Sequence, residues 1–246
     1  SDKVLCPAIL WNDGRSYAEC AELEKRVPTS REITGNLMMP GFTAPKLKWV
    51  AHHQPDIFSH VSKVLLPKDY LRLLMTGEYA SDMSDASGTM WLDVEKRDWN
   101  ADLLDACGLD RSNMPELFEG NQITGTLLNA LAQRWNMPSV PVVAGGGDNA
   151  AGAIGIGLYK PGQAMLSLGT SGVYFVVTDR FKANPQKAVH SFCHALPERW
   201  HLMSVILSAA SAVDWAQKTT GFKDVATLFQ QIEQNPQESD VIFLPY

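Results

Sequence analysis

The sequence predicts an α/β fold, and three observations carry that prediction. Short apolar runs rich in β-branched residues, such as Val140–Val143 and Val173–Val177, alternate with segments of helical period. Glycine, proline or polar clusters punctuate most of the junctions. Nine of the 18 glycines crowd into the 28 residues from Gly145 to Gly172, where strand ends run into turns. Mixed strands and helices with glycine loops at strand ends belong to layered α/β architectures.

Taken in order, Ala8–Trp11 reads as an apolar strand ending in a polar turn at Asn12–Gly14. A helix follows over Ser16–Arg26, with Tyr17, Ala18, Cys20, Ala21 and Leu23 on its apolar period. Pro40 and Gly41 separate it from a helix over Thr43–His53, which Pro55 stops. Lys63–Pro67 reads as a short buried strand, and Lys68–Tyr79 as a helix closed by Gly77. Ser81–Asn100 supplies a polar turn and a short strand into another turn, then Ala101–Leu109 a helix with Gly108 near its end. Thr124–Pro138 reads as a helix stopped by Pro138, and Val140–Asp148 as an apolar strand ending in glycines.

Beyond Asp148, residues are small and the pattern changes. Asn149–Gly162 reads as a small-residue helix or crossover with a turn at Lys160-Pro161-Gly162. Gln163–Thr178 has the strand-turn-strand pattern of a β-hairpin. His190–Leu196 and Arg199–Leu207 read as two more strands, and Ser208–Gly221 as a helix stopped by glycine. Asp240–Tyr246 reads as an apolar strand on which the chain stops abruptly. With the Met-less start, this suggests an interior fragment of a longer protein. The domain boundary is placed near 157–162, giving residues 1–157 and 158–246.

Composition narrows the function classes. With 45% apolar and 20% charged residues, the chain can bury a sizeable core. A net charge of −6 without a Lys/Arg run argues against a nucleic-acid surface. No apolar stretch is long enough for a membrane-spanning helix, and no signal-peptide pattern opens the chain. Cys6, Cys20, Cys107 and Cys193 are scattered without a CxxC pair, the pattern of free thiols in a reducing compartment, so the cytoplasm is expected.

The glycine-rich stretch contains only two charged side chains, Asp148 and Lys160. Asp148 ends a strand, where α/β folds gather their ligands. A carboxylate there could take the proton of a hydroxyl as it attacks a phosphoryl group. Asn149 could fix a neighbouring hydroxyl. The plainer role is an N-cap for the next helix, and the residues alone weigh the two evenly. Leu168-Gly169-Thr170-Ser171-Gly172 could aim backbone amides and two hydroxyls at a phosphate, although an ordinary hairpin turn has the same composition. No GK[ST] follows the glycines, so this is not a P-loop.

Other candidates are weaker. Trp11 could stack on a sugar while Asp13 and Arg15 bind hydroxyls, but a half-buried Trp beside a solvated turn explains the spacing better. Asp82 and Asp85 suit turn capping better than metal binding. His52, His53 and His60 lack the spacing of a metal site. His190 and His194 flank a strand-like run, so no metal ligands are assigned.

At these motifs the chain resembles the FGGY carbohydrate kinases. The carrying segments are Ala8–Arg15, Ile33–Val50, Lys63–Asp93, Val140–Gly157, Ala164–Phe175 and His190–Ser211. The W-x-D-x-R and GGGDNA elements point to the family. NLMMPGFTAPKLKW and SFCHALPERWHLMSV are closer to its xylulokinase branch than to its glycerol, gluconate, ribulose and fuculose kinases. The resemblance implies an actin-like, ribonuclease-H-like fold, with most of the sugar-binding domain and the start of the nucleotide-binding domain. It implies ATP and Mg2+ with D-xylulose as acceptor, and Asp148 as catalytic base. Asn149 then lies beside the sugar, and Gly169, Thr170, Ser171 and Gly172 face the ATP phosphates. Trp11, Asp13 and Arg15 match a motif near the sugar side. The family's opening glycine loop, its Met-His pair and its later adenine-side motif are missing from this chain, so the segment alone is expected to be inert. Another sugar kinase of the family, or a non-catalytic actin-like binding module, is the alternative. A homodimer is compatible with either.

Overall fold

The computed structural model describes residues 4–237 and 239–244. The chain divides into two compact units. The larger comprises Ser1–Gln163 with Val177–Leu202, and the smaller Ala164–Val176 with Met203–Tyr246.

The larger unit opens with helices α1 (Tyr17–Arg26), α2 (Ser30–Thr34), α3 (Thr43–His53), α4 (Pro55–Phe58) and α5 (Pro67–Thr76). Pro55 and Pro67 each stand in the first turn of their helices, where a missing N–H costs nothing. Gly77 closes α5 in the left-handed conformation, at φ +82. Short elements follow: β1 (Ala80–Asp82), α6 (Met83–Ser87), β2 (Leu92–Asp93), β3 (Asp98–Trp99), α7 (Ala101–Ala106) and β4 (Glu116–Phe118). Next come β5 (Ile123–Thr126), α8 (Asn129–Arg134), β6 (Pro141–Val143) and α9 (Asp148–Gly155). β1 pairs in parallel with β4, while β2 with β3 and β5 with β6 are antiparallel.

In the smaller unit, β7 (Ala164–Leu168) and β8 (Gly172–Thr178) form an antiparallel hairpin, Leu168 opposite Gly172. The chain crosses into the larger unit near the end of β8, makes β9 (His190–Cys193), and returns within β10 (Trp200–Ile206). Helices α10 (Ala210–Thr220) and α11 (Val225–Gln234) follow. No helix of the described residues is long and apolar enough to cross a membrane.

The core of the larger unit is built around the Met90–Val94 segment. Met90, Trp91, Leu92 and Val94 are fully buried and pack with Leu23, Ala44, Leu104 and Cys107. The Trp91 indole N–H donates to Cys107 Sγ at 3.3 Å, so the one polar atom of that ring is satisfied. A buried amide ties this core to β9. Asn36 Nδ2 donates to the Ser191 carbonyl at 2.8 Å, and its Oδ1 accepts from the Ser191 N–H at 3.1 Å. The side chain thus imitates a strand partner.

Several expectations need correction. Ala8–Trp11 forms no strand; Leu10 and Trp11 are about two-thirds exposed, at 65% and 67%. A strand needs a partner ladder, and no described segment supplies one there. Lys63–Pro67 forms no strand either: residues 63–66 lie outside regular secondary structure, with Val64 N–H bound to the Asn113 carbonyl, and Pro67 opens α5. The polar turn expected at Ser81 is the end of β1 followed by α6. The helix expected over Thr124–Pro138 begins as strand: Ile123, Gly125 and Thr126 pair with β6, with a register shift at Thr124, and only Asn129–Arg134 is helical. Asp240–Leu244 is not a strand, and Pro245 and Tyr246 lie outside the described residues. The four cysteines are free, as the spacing predicts. Burial pushes the Cys20, Cys107 and Cys193 thiols up to about 11, so they are poor nucleophiles.

Two predictions follow from this packing. A Cβ at Gly120 would sit 2.3 Å from the Ala195 carbonyl oxygen and 2.4 Å from that of Gly145. Both obstacles are backbone, so Gly120→Ala should lower Tm by roughly 5 °C or more in calorimetry. Unchanged melting would contradict this packing. His201 is buried beside Phe192 and His194, and burial, with the neighbouring histidines, pushes its pKa down to about 3. An unfolded histidine binds a proton below about pH 6.5. The stabilising term is therefore complete above that pH and is lost as pH falls toward 3. Tm should fall on acidification below pH 6.5, and less steeply in His201→Phe. Parallel profiles for the two proteins would exclude His201 as a source of acid lability.

Candidate active site

β6 delivers the chain into Ala144 and the triplet Gly145–Gly147, and α9 begins at once with Asp148. The N-cap position belongs to Gly147, so the cap role weighed for Asp148 falls to its neighbour. Asp148 is exposed, and its Oδ1 accepts from the backbone N–H of Asn149 at 2.7 Å and from Asn149 Nδ2 at 3.1 Å. Asn149 therefore orients the carboxylate directly.

Beneath the glycine triplet lies a charged cluster that position-by-position reading did not assemble. Asp82 caps α6, accepting from the N–H groups of Ser84 at 2.9 Å and Asp85 at 3.2 Å. This is the capping role expected of it. Ser84 Oγ donates to the same Asp82 oxygen and accepts from the Gly147 N–H at 2.9 Å. Lys68, from the first turn of α5, places Nζ 2.7 Å from Asp69, 2.8 Å from Asp82 and 3.8 Å from Asp85. Arg72 lies one helical turn on. It donates to Asp69 at 2.7 Å and to the Ala144 carbonyl at 2.5 Å, and it also bonds the Ala80 carbonyl.

Two features of these contacts bear on the chemistry. Oxygens of Asp69, Asp82 and Asp85 converge within 4.8 Å, the spacing of a cation site. The Lys68 ammonium already fills that role, so the triplet is an ion cluster with an internal cation. Burial opposes the charge on Lys68, yet Asp82 and Asp69 hold its pKa above the ordinary lysine value. Asp85 is pushed up to about 6, first by burial and then by Asp82, Asp69 and Asp148, against the pull of Lys68. Asp85 also lies against the residue before Asp148: a Cβ on Gly147 would stand 3.6 Å from Asp85 Oδ1. The signal available in the sequence was the i,i+4 spacing of Lys68 and Arg72, which sets both cations on one helical face.

The glycines let the loop pack closely on its neighbours. A Cβ on Gly146 would crowd Ala195 Cβ at 3.0 Å and Ser84 Oγ at 3.3 Å. One on Gly147 would lie at ordinary contact distance, 3.5 Å, from Asp85 Cα. Gly145 adopts φ +83, which a side chain disfavours.

In the smaller unit, the hairpin turn is tied to the start of α10. Ala209 N–H donates to the Thr170 carbonyl at 2.7 Å, Ala210 N–H to the Gly169 carbonyl at 2.9 Å, and Ser211 Oγ to Thr170 at 2.9 Å. Gly169, Thr170 and Ser171 are exposed, whereas Gly172 is buried, with Ile206 only 2.8 Å from where a Cβ would stand. The Gly169 and Thr170 carbonyls thus bind the start of α10, the Ser171 carbonyl accepts from the Gly169 N–H at 2.9 Å, and Thr170 and Ser171 are exposed.

Trp11, Asp13 and Arg15 form a separate group. Arg15 Nε and Nη2 grip Asp13 at 3.0 and 2.6 Å, and the guanidinium lies 4.9 Å from the centre of the Trp49 ring. These hydrogen bonds from Arg15 bring Asp13 down to about 2. The pair anchors the opening segment against α3, while Trp11 stands exposed. No hydrogen bond, ion pair or ring contact among the described residues joins this group to Asp148 or Asn149.

Comparison with known proteins places these features in context. Residues 1–155 match the N-terminal domain of the FGGY family of carbohydrate kinases. The xylulose kinase of Escherichia coli (strain K12) is 65% identical over 99% of this chain and 51% of its own length. That of Bacillus subtilis (strain 168) is 35% identical over 99% of this chain and 50% of its own. The chain thus spans about half the length of the curated relatives it matches. Among solved structures, a xyloylose kinase from Brucella ovis superposes over the entire chain, and over 49% of its own, with a TM-score of 0.90 and 52% identity. A Plasmodium falciparum glycerol kinase with ADP shares the fold at 18% identity, with a TM-score of 0.85 over 96% of this chain and 49% of its own. The loop that presents Asp148, the domain match and the agreement across half of each relative have one consequence: the chain belongs to the FGGY family of carbohydrate kinases.

Proposed function

We propose that the full-length protein transfers the γ-phosphoryl group of ATP to D-xylulose, giving D-xylulose 5-phosphate and ADP. One observation carries the reading: an exposed carboxylate, Asp148, stands at the head of a helix on a glycine loop anchored from below. Family membership and the names of the relatives support the reaction class and the sugar. Residues 1–157 would form most of the sugar-side domain and residues 158–246 the start of the nucleotide-side domain. The protein would work in the cytoplasm, with sugar and nucleotide as its small-molecule partners.

In this reading Asp148 accepts the proton of the sugar hydroxyl as that oxygen attacks the γ-phosphorus and the bond to the bridging oxygen of ADP breaks. Asn149 holds the carboxylate in place through its amide, and its side chain lies next to the sugar. The exposed hydroxyls of Thr170 and Ser171 suit phosphate oxygens, and buried Gly172 sets how closely the turn packs on β10. Bound Mg-ATP would supply the electrophilic phosphorus and neutralise charge as it develops. Trp11, Asp13 and Arg15 would shape the sugar side through the Arg15–Trp49 contact.

The test is ADP release by the full-length protein with Mg-ATP across D-xylulose, L-ribulose, L-fuculose, gluconate and glycerol. A preference for D-xylulose is expected. Preference for another acceptor would keep the chemistry and change the sugar, and no turnover with any would favour a binding module. Asp148→Asn keeps shape and loses basicity. It should lower kcat by about 10²-fold or more, with the sugar KM within a few-fold of the parent value. Turnover near the parent rate would remove Asp148 from the role of base.

A further inference from the structure

We infer that Ser84 is a positioning residue for Asp148, backed by Asp82 and Lys68. The inference rests on the reading of Asp148 as the catalytic base and deepens it. Three glycines in succession precede Asp148, and glycine has the largest backbone freedom to lose on ordering. Such a loop holds a side chain still only where outside groups hold its backbone. At the root of the loop, Ala144 N–H donates to the Gln122 carbonyl and Gly145 N–H to the Gly120 carbonyl, both at 2.9 Å. Arg72 holds the Ala144 carbonyl. Next to Asp148 itself, the bond from the Gly147 N–H to Ser84 Oγ is the side-chain anchor.

That anchor is built inward. Ser84 is buried, at 6% exposure, and its hydroxyl proton is committed to Asp82. This leaves the oxygen lone pairs free to accept from Gly147. Asp82 is completely buried and is held by the Lys68 ammonium, which also packs its side chain 3.7 Å from the Cβ position of Gly145. The chain of contacts therefore runs from ammonium to carboxylate to hydroxyl to the amide that precedes the base. Linked hydrogen bonds of this kind reinforce one another in a low-dielectric setting. Removing the hydroxyl leaves the Gly147 N–H without its acceptor and frees the glycine hinge beside Asp148. A displacement of about 1 Å at a reacting group can cost on the order of 10²-fold in rate.

The experiment uses the full-length protein with Mg-ATP and its best acceptor sugar. It compares Ser84→Ala, Lys68→Met and Asp148→Asn with the two double variants carrying Asp148→Asn, and follows Tm and amide hydrogen exchange alongside kinetics. Ser84→Ala should lower kcat by roughly 10- to 100-fold with both KM values within about threefold. It should speed exchange over residues 145–150 and have little further effect on kcat in the Asp148→Asn background. Lys68→Met, at a partly exposed position, should show the same pattern more weakly, and it serves if Ser84→Ala does not fold. Parent-like kcat and exchange in Ser84→Ala, with Asp148→Asn impaired, would overturn the positioning role and leave the base assignment standing. Equal losses in both backgrounds would also overturn it. Parent-like turnover in Asp148→Asn would instead overturn the base assignment, and the positioning role with it.

Discussion

One half-buried cation organises the larger unit. The Lys68 ammonium sits among Asp69, Asp82 and Asp85, and each carboxylate reaches a different part of the chain. Asp69 accepts from Arg72 and from Ser81 Oγ, fastening α5 to β1. Asp82 starts α6, and Asp85 lies against the glycine loop. Burying charges is costly, and such a cluster is poor evidence for added stability. Removing one member, however, leaves the others uncompensated at an estimated cost of roughly 3–5 kcal/mol. The cluster is thus a constraint on geometry, fixing where β1, α5, α6 and the end of β6 meet.

That constraint explains why a loop rich in glycine can carry a defined carboxylate. The positive φ of Gly145 and the close contacts at Gly146 disfavour side chains, so rigidity comes from neighbours. Backbone carbonyls hold the root of the loop, and the Ser84 hydroxyl holds its tip. Flexibility in the sequence and order in the structure are reconciled by hydrogen bonds contributed from residues far away along the chain.

Much of the fold was legible where periodicity and punctuation agree. The helix bounds Thr43–His53 emerged as read, and the terminal glycines Gly77 and Gly221 stand in left-handed caps. The β7–β8 hairpin followed its alternating β-branched pattern. Reading failed where an apolar run lacked a partner, as at Ala8–Trp11. It also failed where local propensity was overridden by pairing, as at β5. Helix α11 was overlooked although Asp224 caps it through the Thr227 N–H at 2.8 Å. In the candidate site, Asp148 was legible because a lone charge among glycines is conspicuous. Lys68, Arg72 and Ser84 were not, because their significance lies in contacts across 63 residues or more with the loop, as from Ser84 to Gly147. No local pattern encodes such contacts.

The Asn36 amide has a consequence for the order of folding. Its two bonds to Ser191 span 155 residues of sequence, so the N-terminal helices lack their strand-like partner until β9 has been synthesised. Contacts of such long range form late, because loop closure must precede the interactions that reward it. Until Ser191 is in place, Asn36 lacks both of these bonds, so they form only when the two chain segments of the larger unit are together.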